Sequence, residues 1–155
     1  MEQLLAINNR AIEGAPEDLV INTHVCRGNF HSTYASSGAY DRVAETLFAR
    51  ENVSAYYLEF DDARSGGFEP LKSVNGDKKV VLGLITTKSS KLEDKEDVIK
   101  RIHEAAKYVP LERLYLSPQC GFASCEIGNK LTEEEQWKKL ALVKEIAEEV
   151  WGEEK

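Results

Sequence analysis

Apolar positions along the chain alternate between two spacings. Residues 2–13 place Leu4, Leu5, Ile7, Ala11 and Ile12 at roughly helical intervals. The stretch 18–25 (DLVINTHV) is short and β-branched, which predicts a strand. Helical spacing returns at 38–50 (GAYDRVAETLFAR), where Val43, Leu47 and Phe48 share a face, and 55–60 (AYYLEF) reads as a second strand. Residues 80–87 (VVLGLITT) form a nearly continuous apolar run, as expected of a strand covered on both faces. The pattern then predicts a helix over 95–108 with Val98, Ile102, Ala105 and Ala106 inward, and a strand over 113–116 stopped by Ser117-Pro118. The last helix opens at Thr132, with Glu135 three residues on completing a capping box, and runs to about Trp151, where Gly152 stops it. The segment 61–79 is too polar and Gly-rich to predict a helix.

The resulting order, α-β-α-β-β-α-β-α, predicts an α/β fold with four parallel strands and right-handed crossovers. In such sheets the chemistry gathers at the carboxyl ends of the strands. At 155 residues the chain is expected to form one domain, 1–155, with a real core. Twenty basic and 27 acidic residues give a net charge of −7 with no basic patch, so nucleic acid is not an expected partner. The start, MEQLLAINNRAIEG, lacks the layout of a signal peptide, and no apolar run approaches a membrane span; a cytoplasmic location without membrane contact is the expectation. The three cysteines, Cys26, Cys120 and Cys125, argue against a disulfide framework and leave metal binding or reactive thiols open.

His24 and Cys26 stand two residues apart, so on a strand their side chains share a face and could reach one ion. The second strand ends YYLEFDDARSGG, with Glu59, Asp61 and Asp62; the fourth ends LYLSPQCGFASC, with Cys120 and Cys125. Two thiolates, an imidazole and a carboxylate form a tetrahedral donor set that suits zinc and disfavours magnesium or calcium. Taken singly, His-x-Cys is more often structural, a Cys before Gly more often a small buried residue, and a strand-end Glu more often solvated.

The segments HVCRGNF, YYLEFDDARSGGFEPL and PLERLYLSPQCGF resemble the catalytic barrel of cobalamin-independent methionine synthases, and more narrowly the short single-domain relatives of that enzyme. The resemblance runs from about residue 5 to 152 and covers only the second half of a (β/α)₈ TIM barrel. It implies Zn²⁺ bound by His24, Cys26, Glu59 and Cys120. Asp61 is a rival to Glu59, and Cys125 has no counterpart. Arg64 and Ser65 match an Arg-Ser pair that, with Asp61, could bind substrate; a capped polar turn is the alternative. The implied chemistry is methyl transfer to a thiol, homocysteine giving methionine. Zinc keeps the thiol deprotonated at pH 7, the carboxylate is the ligand that yields to the substrate, and the donor is of the 5-methyltetrahydrofolate type.

Two departures accompany the resemblance. Folate-type members carry Asp-x-His-Ser at the end of the third strand; this sequence reads LITTKSS, with Lys88 near the place of the histidine. A lysine at its ordinary pKa of about 10.4 is a poor acid at pH 7. The strands that grip the amino and carboxylate groups of homocysteine precede the matched region, so the chain reads as a fragment, with an inactive zinc-binding remnant or a relative activating another thiol as alternatives. A half barrel with open edges is expected to form a homo-oligomer. His31 and His103 are read as surface residues and the runs KLEDKED and TEEEQWKK as solvated helix starts. Trp137 and Trp151 are read as helix-face packing.

Overall fold

In the computed structural model, which describes residues 1–152, four parallel strands stand in sequence order: β1 (Asn22–Val25), β2 (Ala55–Glu59), β3 (Lys79–Ile85) and β4 (Leu114–Pro118). The helices are α1 (Glu2–Ala11), α2 (Asp41–Arg50), α3 (Lys95–Ala105) and α4 (Glu133–Trp151). The α/β order and the parallel sheet agree with the pattern of apolar residues. The segment between β2 and β3 holds two short 3₁₀ turns, Ala63–Ser65 and Glu69–Ser73.

Burial explains the strand order. β3 is buried at every position after Lys79, which suits a central strand, whereas β1 alternates between exposed and half-buried positions at an edge. The first strand is shorter than its β-branched run: Leu19 and Val20 are exposed and lie outside it. Tyr56, Leu58, Phe60, Val80, Leu82, Leu84 and Leu114 pack with Phe48, Ile102 and Ile146 from the helices into one core. The opposite face alternates with it and is open: Tyr57 is 39% and Tyr115 41% exposed. That face carries a groove of about 550 Å³ at the amino ends of the strands, lined by Val20, Ala55, Tyr57, Val81 and Tyr115.

Local signals set the helix ends. Asp94 caps α3 by accepting from Asp97 N–H at 3.0 Å. Thr132 and Glu135 form the reciprocal capping box of α4, and Gly152 follows its last residue. Three expectations fail, the first at the end of β4: the strand runs on through Ser117 and Pro118, the residues expected to stop it. α1, for which the spacing predicts only a helix, buries Leu5 and leaves Leu4 and Ile7 facing solvent. Trp137 is 59% exposed and bonds Glu133 instead of packing, whereas Trp151 is half-buried and donates to Leu111 O at 3.0 Å. The charged runs are not wholly solvated either. Lys139 is fully buried and its ammonium bonds Lys91 O at 2.7 Å and Glu93 at 2.9 Å, because α4 crosses the loop before α3 at that point.

Truncating Ile102, fully buried in the core, to alanine is expected to lower unfolding free energy by about 2–5 kcal/mol. The exposed Leu4→Ala should change it by less than about 0.5 kcal/mol. Chemical denaturation of the two variants checks the contrast.

Candidate metal centre

The carboxyl ends of the four strands meet at one rim. In the register His24 pairs with Tyr57, and Glu59 pairs with Gly83, which pairs with Ser117. A β-carbon on Gly83 would lie 2.8 Å from Leu58 O and 3.4 Å from the Gln119 Cα, so only glycine lets the Gln119-Cys120 turn approach this closely. An irregularity in the β3–β4 ladder between Gly83 and Ile85 carries Pro118 and the turn after it over the strand ends. Cys120 and Gly121 are both left-handed there, at φ 55 and 78.

The turn brings Cys120 Sγ to 3.5 Å from His24 Nε2. Ligand atoms of His24, Cys26 and Cys120 all lie within 4.8 Å of one another. Tetrahedral zinc, with Zn–S about 2.3 Å and Zn–N about 2.0 Å, separates a sulfur and a nitrogen ligand by about 3.5 Å. The three donors therefore fit one ion in both type and spacing. Burial pushes the Cys120 thiol up to about 12, with the hydrogen bond and charge of Cys26 adding to the rise. Burial also lowers His24 below its usual value against the attraction of Glu59, which favours the neutral imidazole that a metal requires. Gly28 N–H donates to Cys26 Sγ at 3.3 Å, and the Gln119 amide donates to Cys120 Sγ.

Glu59 and Asp61 lie outside this trio, held in a buried group of charges. Glu59 accepts from Arg27 N–H at 2.5 Å, from Arg64 Nη2 at 2.5 Å and from Lys88 Nζ at 3.3 Å. Asp61 takes Arg64 at 2.8 Å, Thr86 Oγ1 at 2.8 Å and Lys88 at 3.4 Å. Burial alone would raise Asp61, but the Arg64 bond, the Lys88 charge and the Thr86 hydroxyl hold it below the usual carboxylate range. With Arg27 Nη1 3.8 Å from Glu59 and Asp62 3.1 Å from Arg64, three carboxylates and three cations leave this group formally neutral, the condition under which buried charge is tolerated. Lys88, at the end of the third strand, also donates to Gln119 Oε1. His24, Glu59, Gly83, Gln119 and Cys120 line a cavity of about 240 Å³.

The other candidates lie around this centre. Arg64 stacks on Tyr34 at 4.3 Å. Ser65 gives its carbonyl to Arg27, while its buried hydroxyl has no partner. His31 bonds Gly128 O through Nδ1 at 2.9 Å, His103 faces solvent, and Cys125 stands apart from the trio. Sequence reasoning missed Arg27, Tyr40, Thr86 and Gln119. Arg27 bonds Glu59 O and Gly38 O and stacks on Tyr40 at 4.2 Å. Tyr40 OH donates to Val25 O at 2.6 Å and accepts from Glu59 N–H at 2.9 Å, joining β1 to β2 beside the centre. The available signals were position alone: Arg27 follows a candidate ligand, and Gln119 precedes one.

A family profile described as "Cobalamin-independent synthase, Catalytic domain" matches residues 6–149. The uncharacterized protein YxjG of Bacillus subtilis is 55% identical over 153 residues, which are 97% of this chain and 40% of that protein. A methionine synthase of Pyrococcus horikoshii is 27% identical over 113 residues, 73% of this chain and 29% of the other. Two solved structures share the fold. One, from Listeria monocytogenes and described as a candidate vitamin-B12-independent methionine synthase, has a TM-score of 0.74 at 44% identity, covering 96% of this chain and 40% of the other. The other, a B12-independent methionine synthase from Shewanella sp. W3-18-1 in complex with selenomethionine, has a TM-score of 0.76 at 26% identity, covering 94% and 42%. The chain thus spans about 40% of the length of YxjG and of these two structures.

Burial raises the Tyr40 phenol to about 12, against the lowering effect of the Arg27 charge and the Glu59 N–H hydrogen bond. A phenol whose folded value lies above its unfolded value of about 10 stabilises the fold fully below pH 10, and that contribution is lost as pH rises toward 12. Tyr40→Phe is expected to cost about 1–3 kcal/mol at pH 7 by leaving Val25 O and Glu59 N–H unpaired. It should also flatten the alkaline loss of stability, as read by denaturation at pH 8 to 11.

Proposed function

The chain belongs to the cobalamin-independent synthase catalytic-domain family, and from that premise we propose that its strand ends carry a zinc site that activates a thiol for methyl transfer. The observation that carries the reading is the convergence of His24, Cys26 and Cys120 within 4.8 Å. These three would hold the ion, with Glu59, in the adjoining cavity wall, as the exchangeable fourth ligand. Bound zinc supplies positive charge that keeps a coordinated thiol deprotonated at neutral pH.

The chain's own residues do the rest. Arg64, Lys88 and the Arg27 N–H grip Glu59. Each carboxylate contact with an ion would therefore compete with this cationic grip, which would make Glu59 the weakest-held of the four ligands. His24, kept neutral by burial, offers a lone pair without prior loss of a proton. Homocysteine is the acceptor that best fits the family, and the selenomethionine held by the Shewanella relative is a product-like amino acid of the same kind. The donor is of the methylfolate type. Asp61 and Arg64, ion-paired beside the cavity, and Ser65 would position substrate.

A second reading follows from the open sheet face. Tyr57 and Tyr115 are exposed where a closed barrel would bury them, and β1 and β4 each have one unpaired edge. The chain alone would then hold metal with little turnover, and association with a second copy would cover the face. Among the described residues no helix is long and apolar enough to cross a membrane, and the net charge of −7 disfavours nucleic acid. A cytoplasmic site of action is consistent with both.

Purified protein is expected to carry one zinc per chain by elemental analysis, and Cys120→Ser to lose it. A metal-free wild type that cannot be loaded with zinc would contradict the site. Light scattering at micromolar concentration should give at least a dimer; a monodisperse monomer would contradict the association. Methionine formation from homocysteine and methylfolate distinguishes a complete enzyme from a metal-binding part of one.

A further inference from the structure

A polar clamp lies beside the proposed zinc ligands and belongs to none of them. Thr87, two residues beyond β3, is fully buried. Its hydroxyl donates to Gln119 O at 2.6 Å and accepts from Asn29 Nδ2 at 3.2 Å. The same Asn29 amide reaches Gly121 O at 3.4 Å. From the far side, Asn129 Nδ2 donates to Thr87 O at 2.6 Å and approaches Gly121 O at 3.5 Å. Gln119 N–H is meanwhile tied to Ile85 O at 2.8 Å. The carbonyls on either side of Cys120 are thus both held, by residues from the loops after β1, β3 and β4.

Cys120 needs such holding. Its φ of 55 is left-handed, a conformation that a residue with a β-carbon keeps only when its surroundings over-determine it. The backbone conformation sets the direction of the Cα–Cβ bond and hence the place of Sγ. If the turn relaxed toward the common right-handed or extended regions, the sulfur would leave its position 3.5 Å from His24 Nε2. Asn29 and Asn129 each keep a buried Oδ1 without a partner, so both amides serve the clamp through their N–H groups alone.

We propose that Thr87, with Asn29 and Asn129, is a positioning residue that locks the left-handed turn at Cys120 and thereby presents its sulfur to His24 and Cys26. The inference rests on the zinc reading and assigns the precision of that site to a hydroxyl that touches neither metal nor substrate. Groups that orient metal ligands in this way typically change metal affinity by about 10–100-fold when removed.

The test uses cobalt(II) as the probe on the full chain. Absorption bands from sulfur-to-cobalt charge transfer report the ligand geometry, and competition with a chelator reports affinity. Wild type and Thr87→Ser, which keeps the hydroxyl, are expected to bind alike with a tetrahedral two-sulfur spectrum. Thr87→Val, which keeps the shape and loses the hydroxyl, is expected to bind about 10–100-fold more weakly with shifted bands, while its circular dichroism and cooperative melting persist. A Thr87→Val protein that melts earlier yet binds cobalt with unchanged affinity and spectrum would overturn the proposal, because that is the outcome of a purely structural role. If Thr87→Val does not fold, Asn129→Ala carries the same expectation, and unchanged binding there overturns the proposal equally. A wild type that binds no cobalt would overturn the zinc reading, and the clamp with it.

Discussion

Everything at the rim depends on the in-register parallel pairing of the strands. Glu59, Gly83 and Ser117 fall in one row, and the missing side chain of Gly83 is what lets the turn after β4 come down onto that row. Any larger residue would meet Leu58 O on one side and the backbone of Gln119 on the other. The turn would lift, and Cys120 would leave His24 on β1 and Cys26 just after it. A residue that contributes no ligand atom therefore governs whether the site exists.

Two chemistries are kept apart within a few residues of each other. On one side stand two thiols and an imidazole, donors that bind a soft cation only after losing or lacking a proton. On the other stand Glu59 and Asp61, already satisfied by Arg64 and Lys88. Thr86 and Thr87 divide the two halves: Thr86 bonds Asp61, and Thr87 bonds the carbonyl before Cys120. The Thr86 N–H is fixed by Glu93, which pairs with the buried Lys139 of α4. The order of the rim is thus tied to a helix on the far side of the sheet.

The fold was legible in the sequence because burial writes itself into periodicity. VVLGLITT read as a strand covered on both faces, as β3 is, and Thr132 with Glu135 marked the start of α4 from local chemistry alone. The edges were less legible. Leu4, Ile7, Leu19, Val20 and Trp137 have core-like side chains and are exposed, because composition records what a residue can pack against and not whether a neighbour is there. At the site, type and spacing pointed to His24 and Cys26, while the choice of Cys120 over Cys125 came from the family resemblance; the structure brings His24, Cys26 and Cys120 together. The ion-pairing of Glu59 with Lys88 and Arg27 and the burial of Lys139 beside Glu93 were not legible, since both depend on groups brought together from distant segments.

Zinc X-ray absorption spectroscopy on the purified chain probes the central claim most directly, because it reads ligand type and distance without requiring turnover. The account expects a shell of two sulfurs at about 2.3 Å together with nitrogen or oxygen at about 2.0–2.1 Å, reduced to a single sulfur or lost when Cys26 or Cys120 is replaced by serine. A spectrum with only nitrogen and oxygen neighbours, or one unchanged by those substitutions, would contradict it.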